Sequence, residues 1–227
     1  MDEVAYRTLV FAHLLMFVIW LGGDIGVFVL GQHFRRRRAY SLDQRLVLLK
    51  LLVAVDMAPR TAWALNVPLS LTVATAGGLL ILPGWVVALA WAIGGVWLFL
   101  VWDAHLHDQT PRAARDRAWE MRIKLAITAF YLGLGGWSLL TGEPIGLPWL
   151  AWKALLFGLI FVAAIAIDLH FKPVGPQLAT LIAEGSSDRT ELPLRETMDR
   201  TRVFVVLVYL LLLATAYLGT VKPVWGD

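Results

Sequence analysis

Residues 8–30 read TLVFAHLLMFVIWLGGDIGVFVL, and this apolar stretch decides the fold. A helix needs about 20 predominantly apolar residues to cross the hydrocarbon core of a bilayer, so the stretch is long enough to span a membrane. It is too long for the apolar part of a signal peptide, and little positive charge precedes it. Arg35 to Arg38 follow it, and such a basic cluster is typical of a cytoplasmic anchor.

The rest of the chain repeats this pattern. Of its 227 residues, 59% are hydrophobic and 16% are charged, whereas soluble domains average about 25% charged residues. The sequence therefore predicts an all-α, polytopic transmembrane helical bundle that forms a single membrane domain, residues 1–227. Apolar segments of sufficient length predict six spans, at residues 8–31, 61–82, 85–102, 121–140, 149–168 and 202–220.

Composition also excludes several classes of protein. The chain contains no cysteine, which excludes disulfides, iron–sulfur clusters and thiol catalysis. Its net charge is only +3, and its basic residues lie in loops beside apolar segments. That distribution favours contact with anionic lipid headgroups of the bilayer and not with nucleic acid.

Lysine and arginine are distributed unevenly between the predicted spans. The segments 32–60, 103–124 and 169–202 hold seventeen of the twenty basic residues. Because cytoplasmic loops carry the excess of positive charge, these segments are predicted to be cytoplasmic and both termini non-cytoplasmic. Tryptophans at the ends of predicted spans are typical of an aromatic belt at the interface, namely Trp85, Trp149, Trp152 and Trp225.

The connections contain helices of their own. A helix from residue 42 to residue 82 would be about 60 Å long at 1.5 Å per residue, roughly twice the thickness of the bilayer core. We therefore expect an interfacial helix at 42–57 that breaks near Pro59 before the second span. Near the C-terminus we expect a short helix at 178–184, then a break at 185–187 and a helix that continues into the last span.

Asp24 is the most informative residue because it lies inside the first span. A carboxylate at that depth costs about 2.5–3.5 kcal/mol on insertion scales, so such residues usually face the bundle interior and have a function. His13, Trp20 and Asp24 follow the helical repeat and share one face. This face is a candidate site in which Asp24 is catalytic and His13 and Trp20 bind a cofactor. The alternative is a buried structural carboxyl.

Arg60 is the natural partner for this acid. It lies four residues after Asp56 at the start of the second span, so it pairs either with Asp56 or with Asp24. We predict that Arg60 and Asp24 form an intramembrane catalytic pair, and a simple interfacial anchor is the alternative. Glu120, Lys124 and Lys153 are interpreted as side chains that extend from span ends to the interface.

Histidine and aspartate also recur where the first, third and fifth spans end. These spans run in the same direction, so their ends lie at one membrane level. Imidazole and carboxylate are ordinary ligands for zinc, iron or copper, and the residues predict a metal or haem b site at this rim. Solvated span ends are the alternative interpretation. The candidates are His33, Asp103, His105, His107, Asp168 and His170.

The first span resembles known families. His13 to Gly23, HLLMFVIWLGG, is similar to the opening helix of copper-resistance D-type membrane domains and of the membrane-bound, haem-associated protoporphyrinogen oxidases of bacteria. The resemblance implies a small helical bundle in the bacterial inner membrane, tied to copper handling or to haem redox chemistry, with His13 as the histidine of that helix. Residues 22–28 (GGDIGVF) and 56–60 (DMAPR) look like those of an uncharacterised bacterial inner-membrane family.

These observations leave three hypotheses about function. The first, narrowly favoured, is a redox-active membrane protein, an oxidoreductase if it is an enzyme, that binds haem or a transition metal. The second is a transporter or permease for an ion or small solute, in which Asp24 and Arg60 form the intramembrane relay. The third is an assembly subunit or homo-oligomer whose glycine-rich helix faces bind other helices.

Overall fold

The computed structural model describes residues 2–224 and shows an all-α chain. Within that range there is no β-strand, as the sequence predicts. The helices are α1 (Glu3–Phe34), α2 (Leu42–Ala76), α3 (Gly84–Leu106), α4 (Pro111–Thr141), α5 (Pro148–Phe171), α6 (Val174–Glu184) and α7 (Asp188–Val221). Trp225, the last member of the predicted aromatic belt, lies outside the described residues.

Polar caps set where several helices begin. Asp2 accepts a hydrogen bond from the backbone N–H of Ala5 at 2.7 Å and starts α1. Ser41 and Gln44 form a capping box at the start of α2, and Ser187 caps α7. These contacts satisfy backbone N–H groups that have no partner within the helix. Gly185, with φ of +79°, ends α6 at the break predicted from the sequence.

The long helices pack in the order in which they occur along the chain. α1 lies on α2, α2 on α3, α3 on α4, α4 on α5 and α5 on α7, while α6 packs on α7. α1 and α7 close the arrangement through a sparse contact. There the Tyr209 hydroxyl donates to the backbone carbonyl of Asp24 at 2.7 Å, and Phe28 packs edge-on against the Tyr209 ring. We call this boundary the α1–α7 seam.

Close approach of helices depends on single glycines. A Cβ on Gly158 of α5 would lie 2.9 Å from the backbone nitrogen of Leu132 in α4. Gly135 of α4 lies in the same way against the backbone of Leu155. Lipid supplies no hydrophobic force between helices, so this close packing is a main source of stability. By contrast Gly133 and Gly136 have no neighbouring atom where a side chain would stand.

Five segments are long and apolar enough to cross a membrane, which supports a membrane protein: α1, α3, α4, α5 together with α6, and α7. α2 is not among them, although it contains the second predicted span. Its polar residues explain this: Asn66 and Ser70 lie among buried positions that extend from Met57 to Ala74. A helix shielded from lipid by its neighbours does not need an apolar surface on every side.

The predicted break near Pro59 is wrong. α2 continues through both Pro59 and Pro68 as a helix of 35 residues, about 52 Å at 1.5 Å per residue. Pro59 is buried, and a Cβ on Gly23 of α1 would lie 2.6 Å from its ring. This packing offsets the backbone hydrogen bond that proline cannot donate. α2 also ends at Ala76, before the predicted end of the second span at residue 82.

The N-terminal part of α2 forms a small second core with α6 and α7. Phe34, Val174, Leu181 and Leu194 are buried there. Arg45 donates to the Glu191 carboxylate at 2.5 and 2.9 Å, and its Nε donates to the Phe34 carbonyl at 2.6 Å.

The end of the bundle that carries this core and the loops 35–41 and 107–110 is called the arginine-rich end. The predicted helix at 178–184 is present there as α6.

Candidate functional site: two cavities at the α1–α7 seam

The first cavity lies toward the arginine-rich end and has a volume of about 210 Å³. α1, α2, α4, α5 and α7 all contribute to its wall, which combines acidic and basic side chains with apolar ones. We call it the mixed-charge cavity. Its charged lining residues are Asp24, Asp56, Arg60, Lys124, Asp168 and Arg202.

A buried lysine joins two carboxylates at this cavity. The Lys124 ammonium lies 2.7 Å from Glu120 Oε1 and 2.9 Å from Asp168 Oδ2. Lys124 and Glu120 are only 4% and 6% exposed, so the interpretation that they extend to the interface is wrong. The Trp97 indole N–H also donates to Glu120, at 3.5 Å. Buried ions require such close partners, because desolvation costs several kcal/mol per ion.

Arg60 pairs locally. Its Nε donates to Asp56 Oδ2 at 2.5 Å, one helical turn away, and its terminal nitrogen lies 4.0 Å from Glu120. Among the described residues Arg60 makes no ion pair with Asp24. Of the two partners that the sequence offered, the helical repeat of α2 favours Asp56, because residues four apart on a helix are neighbours.

Asp24 differs from the other acids of the mixed-charge cavity. Asp56 is held by Arg60 and Asp168 by Lys124. The Asp24 carboxylate has no basic group within 4.0 Å among residues 2–224, although Asp24 contributes to the same wall. It is thus the acid of this cavity that is most available to a proton, an ion or a solute.

The second cavity lies at the opposite end of the seam and has a volume of about 360 Å³. Most of its wall is apolar, and no carboxylate of the described residues contributes to it. We call it the lysine cavity. Its polar and titratable lining residues are Tyr6, His13, Asn66, Ser70, Tyr131, Lys153, Thr215, Thr220 and Lys222.

Several polar groups of the lysine cavity lack a protein partner. His13 Nδ1 and Asn66 Oδ1 are buried and form no hydrogen bond within the described part of the chain. Neither Lys153 nor Lys222 has a carboxylate within 4.0 Å there, and the Lys222 ammonium lies 5.6 Å from the centre of the Trp149 ring. Buried polar groups are normally hydrogen-bonded, so each exception calls for an explanation.

Aromatic rings separate the two cavities. Trp20 stacks on Trp63 with ring centres 5.4 Å apart, and Phe157 meets the edge of Trp20 at 6.3 Å. Phe161 lies 4.6 Å from Trp63, and Trp97 lies 5.0 Å from it. Trp20 and Trp63 contribute to the wall of the mixed-charge cavity and Phe157 to that of the lysine cavity. We call these five residues the aromatic partition.

The face of α1 singled out by the sequence runs past both cavities. His13 lies at the lysine cavity, Trp20 in the partition and Asp24 at the mixed-charge cavity. The expectation that the three side chains point into the bundle agrees with this placement. Their catalytic and cofactor-binding roles stay predictions.

The histidines and aspartates of the predicted rim take part in separate contacts. His33 Nδ1 lies 2.8 Å from the Tyr40 hydroxyl, and Asp103 is held by Arg112 at 2.6 Å. In residues 2–224 no three histidine, aspartate or glutamate side chains come together in a way that would hold a metal ion. The remaining candidates have these neighbours: His105 packs on Trp102, His107 lies by Asp103, Asp168 pairs with Lys124, and His170 lies by the carbonyl of Ala166.

Sequence reasoning missed much of both cavities. The pairing of Glu120 with Lys124 could have been found, because the two are four residues apart at the start of an apolar run. Asn66 was another available signal, since it is the only asparagine of the chain and lies within a predicted span. No sequence pattern brings Lys153 of α5 and Lys222 at the end of α7 to one cavity.

No protein-family model matches the chain, and no curated protein or solved structure is significantly similar to it. Function is therefore inferred from the two cavities and from the partition between them.

Proposed function

We propose that the protein is an integral membrane permease for a small ion, and that the proton is the ion its side chains fit best. One observation carries the proposal: two cavities with titratable side chains in their walls follow one seam, and aromatic rings lie between them. Carboxylate and histidine side chains inside a membrane mark ion pathways and proton relays in pumps and transporters.

Asp24 and His13 are the two stations of the proposed path. They lie eleven residues apart on one face of α1, about 16 Å at 1.5 Å per residue. Both groups exchange protons readily, and neither has an ionic partner among the described residues. Arg60 supports this role indirectly, since it holds Asp56 at 2.5 Å and leaves Asp24 available.

The partition explains why such a path would not leak. Trp20, Trp63 and Phe157 lie between the cavities, and none of the five side chains of the partition is a carboxylate or an imidazole that would relay a proton. Passage would require a ring to move so that water joins the two cavities. Trp20 lies on α1 at the sparsely packed seam and is the ring that we expect to move.

The proposal includes a topology. Six spans, with α2 as the second, would place the arginine-rich end in the cytoplasm and both termini outside, in a bacterial inner membrane. The absence of cysteine makes this simple to test, because one introduced cysteine is the only thiol. In intact cells an impermeant maleimide should label Gly142→Cys and leave Thr110→Cys unlabelled. The reverse pattern would invert the topology.

Proton flux through purified protein tests the function. Proteoliposomes that contain the pH-sensitive dye pyranine would receive a potassium gradient and then valinomycin. We expect faster acidification than in protein-free liposomes, loss of that flux in Asp24→Asn and no change in Asp108→Asn, which alters an exposed loop. Flux no greater than in protein-free liposomes would refute the proposal. Loss of folded Asp24→Asn protein would instead assign Asp24 a structural role.

Binding of haem or a transition metal, with redox activity, is a second candidate. The observation that favours it is the unpartnered Nδ1 of His13 at the larger, mostly apolar cavity. The described residues of that wall offer one histidine, so they fit a single axial ligand and not a pair. A visible spectrum of protein purified in mild detergent, before and after dithionite, tests this. A Soret band that His13→Ala removes would support haem, and a featureless spectrum would exclude it.

We also propose that the protein forms homo-oligomers through glycine-rich helix faces. Gly95 and Gly133 are exposed and have open space where a side chain would stand, which suits close contact with another helix. Light scattering of the detergent-solubilised protein would test it, and Gly133→Leu should then shift the oligomer toward the monomer. A monomeric wild-type protein would exclude this assembly.

A further inference from the structure

The lysine cavity has a positive charge that none of the described residues balances. Lys153 from α5 and Lys222 at the end of α7 both contribute to its wall, and no carboxylate from residues 2–224 does. The Lys153 ammonium lies against Gly219 of α7, at the place where a Cβ would stand. A partly buried ammonium without an acid is costly, so an anion that enters the cavity would be held strongly.

Unsatisfied hydrogen-bonding groups lie in the same wall. Asn66 is 5% exposed, and its Oδ1 has no partner among the described residues; the same holds for His13 Nδ1. An unpaired buried polar group costs about 1–3 kcal/mol, so such groups are usually satisfied by a bound molecule or by water. They lie on α1 and α2, whereas the lysines lie on α5 and at the end of α7. The wall therefore suits a ligand that has hydroxyl groups beside its anionic group.

The rest of the wall is apolar. Leu71, Leu134, Ile145 and Leu212 contribute to it, together with the rings of Trp149 and Phe157. A free inorganic anion would gain nothing from this surface, whereas the first carbons of an acyl chain would pack on it. The ligand that fits both parts of the wall is an amphiphile with an anionic head.

The α1–α7 seam gives such a ligand a lateral route. The contact between α1 and α7 is sparse, and Ala216 and Gly219 are small residues on the α7 side of the cavity wall. Tyr6, Val10 and Leu14 contribute the α1 side. A chain could therefore remain in the bilayer while its headgroup lies between the helices.

We propose that the lysine cavity binds the phosphate headgroup of an anionic lipid that enters from the bilayer between α1 and α7. Lys153 and Lys222 bind the phosphate through charge-assisted hydrogen bonds, and His13 and Asn66 bind the hydroxyl-bearing part of the head. This site goes beyond ion permeation and does not depend on it. A soluble phosphate compound has the same anionic group, so the test separates the two sources.

The experiment is native mass spectrometry of the delipidated full-length protein, titrated with dioleoylphosphatidylglycerol or with the zwitterionic dioleoylphosphatidylcholine. We expect one retained phosphatidylglycerol and no comparable retention of phosphatidylcholine. Lys153→Met should weaken retention about tenfold, the effect of one lost charge-assisted contact. Lys172→Met is the matched control, because Lys172 follows the other end of α5 and contributes to neither cavity, and it should bind as the wild type does.

A second variant keeps both lysines and narrows the lateral route. Ala216→Phe should lose phosphatidylglycerol, and thermal shift with inorganic phosphate would show whether the anion site remains. Equal retention by Lys153→Met and Lys172→Met would overturn the proposal, as would equal retention of the two lipids. Stabilisation by inorganic phosphate that depends on Lys153, without retention of lipid by the wild type, would also overturn it in favour of a soluble anion. Proton flux is measured separately, so failure of one proposal leaves the other standing.

Discussion

The two cavities are built by the same helices, but they treat charge in opposite ways. In the mixed-charge cavity each basic side chain has an acid nearby: Lys124 has Glu120 and Asp168, Arg60 has Asp56, and Arg202 has Asp199. The lysine cavity holds two ammonium groups and, among the residues that the structure describes, no acid. A charge inside a membrane bundle is thus stabilised either by a side chain of opposite charge on the same or a neighbouring helix, or by a bound molecule.

Because of this difference, we expect one cavity to contribute mainly to the stability of the fold and the other mainly to ligand binding. Pairing in the mixed-charge cavity connects α4 to α5 and stabilises the fold, with Asp24 as the exception. The unpaired lysines add little to the fold and are more suited to binding. Substitutions that are chemically alike should therefore have unlike effects at the two ends of the seam.

Lys124→Met should have the largest effect on stability. It leaves two carboxylates without their cation, and removal of one partner from a buried ion pair costs about 3–5 kcal/mol. Lys153→Met, the matched change in the lysine cavity, removes a cation that has no acid partner among the described residues, so stability should stay close to that of the wild type or rise. Thermal unfolding in detergent, followed by size-exclusion fluorescence, measures both. Similar losses would contradict the distinction between the cavities.

A combined variant sharpens the same comparison. Adding Glu120→Gln and Asp168→Asn to Lys124→Met removes the unpaired acids together with the lysine. It should recover most of the lost stability, since a buried ion pair replaced as a whole is often neutral for folding. If the triple variant is no more stable than Lys124→Met, the loss of stability comes from the changed side-chain volume and not from the unpaired charges.

Trp63→Ala should break the separation between the cavities. Trp63 contacts Trp20, Trp97 and Phe161 in the aromatic partition, so its loss opens a passage of ring size. The measurement is labelling of Ser70→Cys, in the lysine cavity, by an impermeant maleimide applied from the arginine-rich side of sealed vesicles. We expect slow labelling in the parent and several-fold faster labelling with Trp63→Ala. Trp102→Ala, an exposed tryptophan of α3, is the control and should change nothing.

Arg60→Gln should have a modest effect on stability. The Arg60 side chain is 40% exposed and pairs with Asp56 one turn away, and such helix pairs contribute about 0.3–0.5 kcal/mol. A thermal unfolding midpoint close to that of the wild type is therefore expected. A loss as large as that of Lys124→Met would show that Arg60 also holds Glu120 or Asp24.

The exposed pair between Asp108 and Arg117 should give the smallest effect. The hydrogen bond from Arg117 lowers the pKa of the Asp108 carboxyl in the loop before α4. A lowered pKa in the folded state means that the stabilisation is present above the usual aspartate pKa and is lost as the pH falls below it. Asp108→Asn should remove this acid-dependent part, seen as a slightly flatter plot of unfolding midpoint against pH between pH 6 and pH 3. A change in the unfolding midpoint of Asp108→Asn as large as that of Lys124→Met would contradict this prediction.

Sequence and structure agree best where a rule of the bilayer applies. The apolar runs predict α1, α3, α4, α5 and α7, because a segment of that composition must satisfy its own backbone in lipid. The helical repeat correctly places His13, Trp20 and Asp24 on one interior face. The Gly185 break and α6 follow from local turn chemistry alone.

The failures occur where distant residues compete for one partner. Proline alone predicts a break at residue 59, but packing of Pro59 on Gly23 keeps α2 continuous. The prediction that the rim residues bind a metal stays a prediction, but it did not include the ion pairs that Asp103 and Asp168 form with Arg112 and Lys124. These basic side chains come from a neighbouring helix, and nothing local to either aspartate indicates them.

By itself the sequence determined that this chain is a helical membrane protein with a polar face on its first helix, because length, hydropathy and helical period act locally. Only the tertiary structure decided that this face meets two cavities, that Lys124 is paired and that Lys153 and Lys222 share a wall to which no acid of residues 2–224 contributes. Those outcomes depend on which helices are neighbours. In a membrane that choice rests on close packing and on buried polar contacts, which no single segment contains.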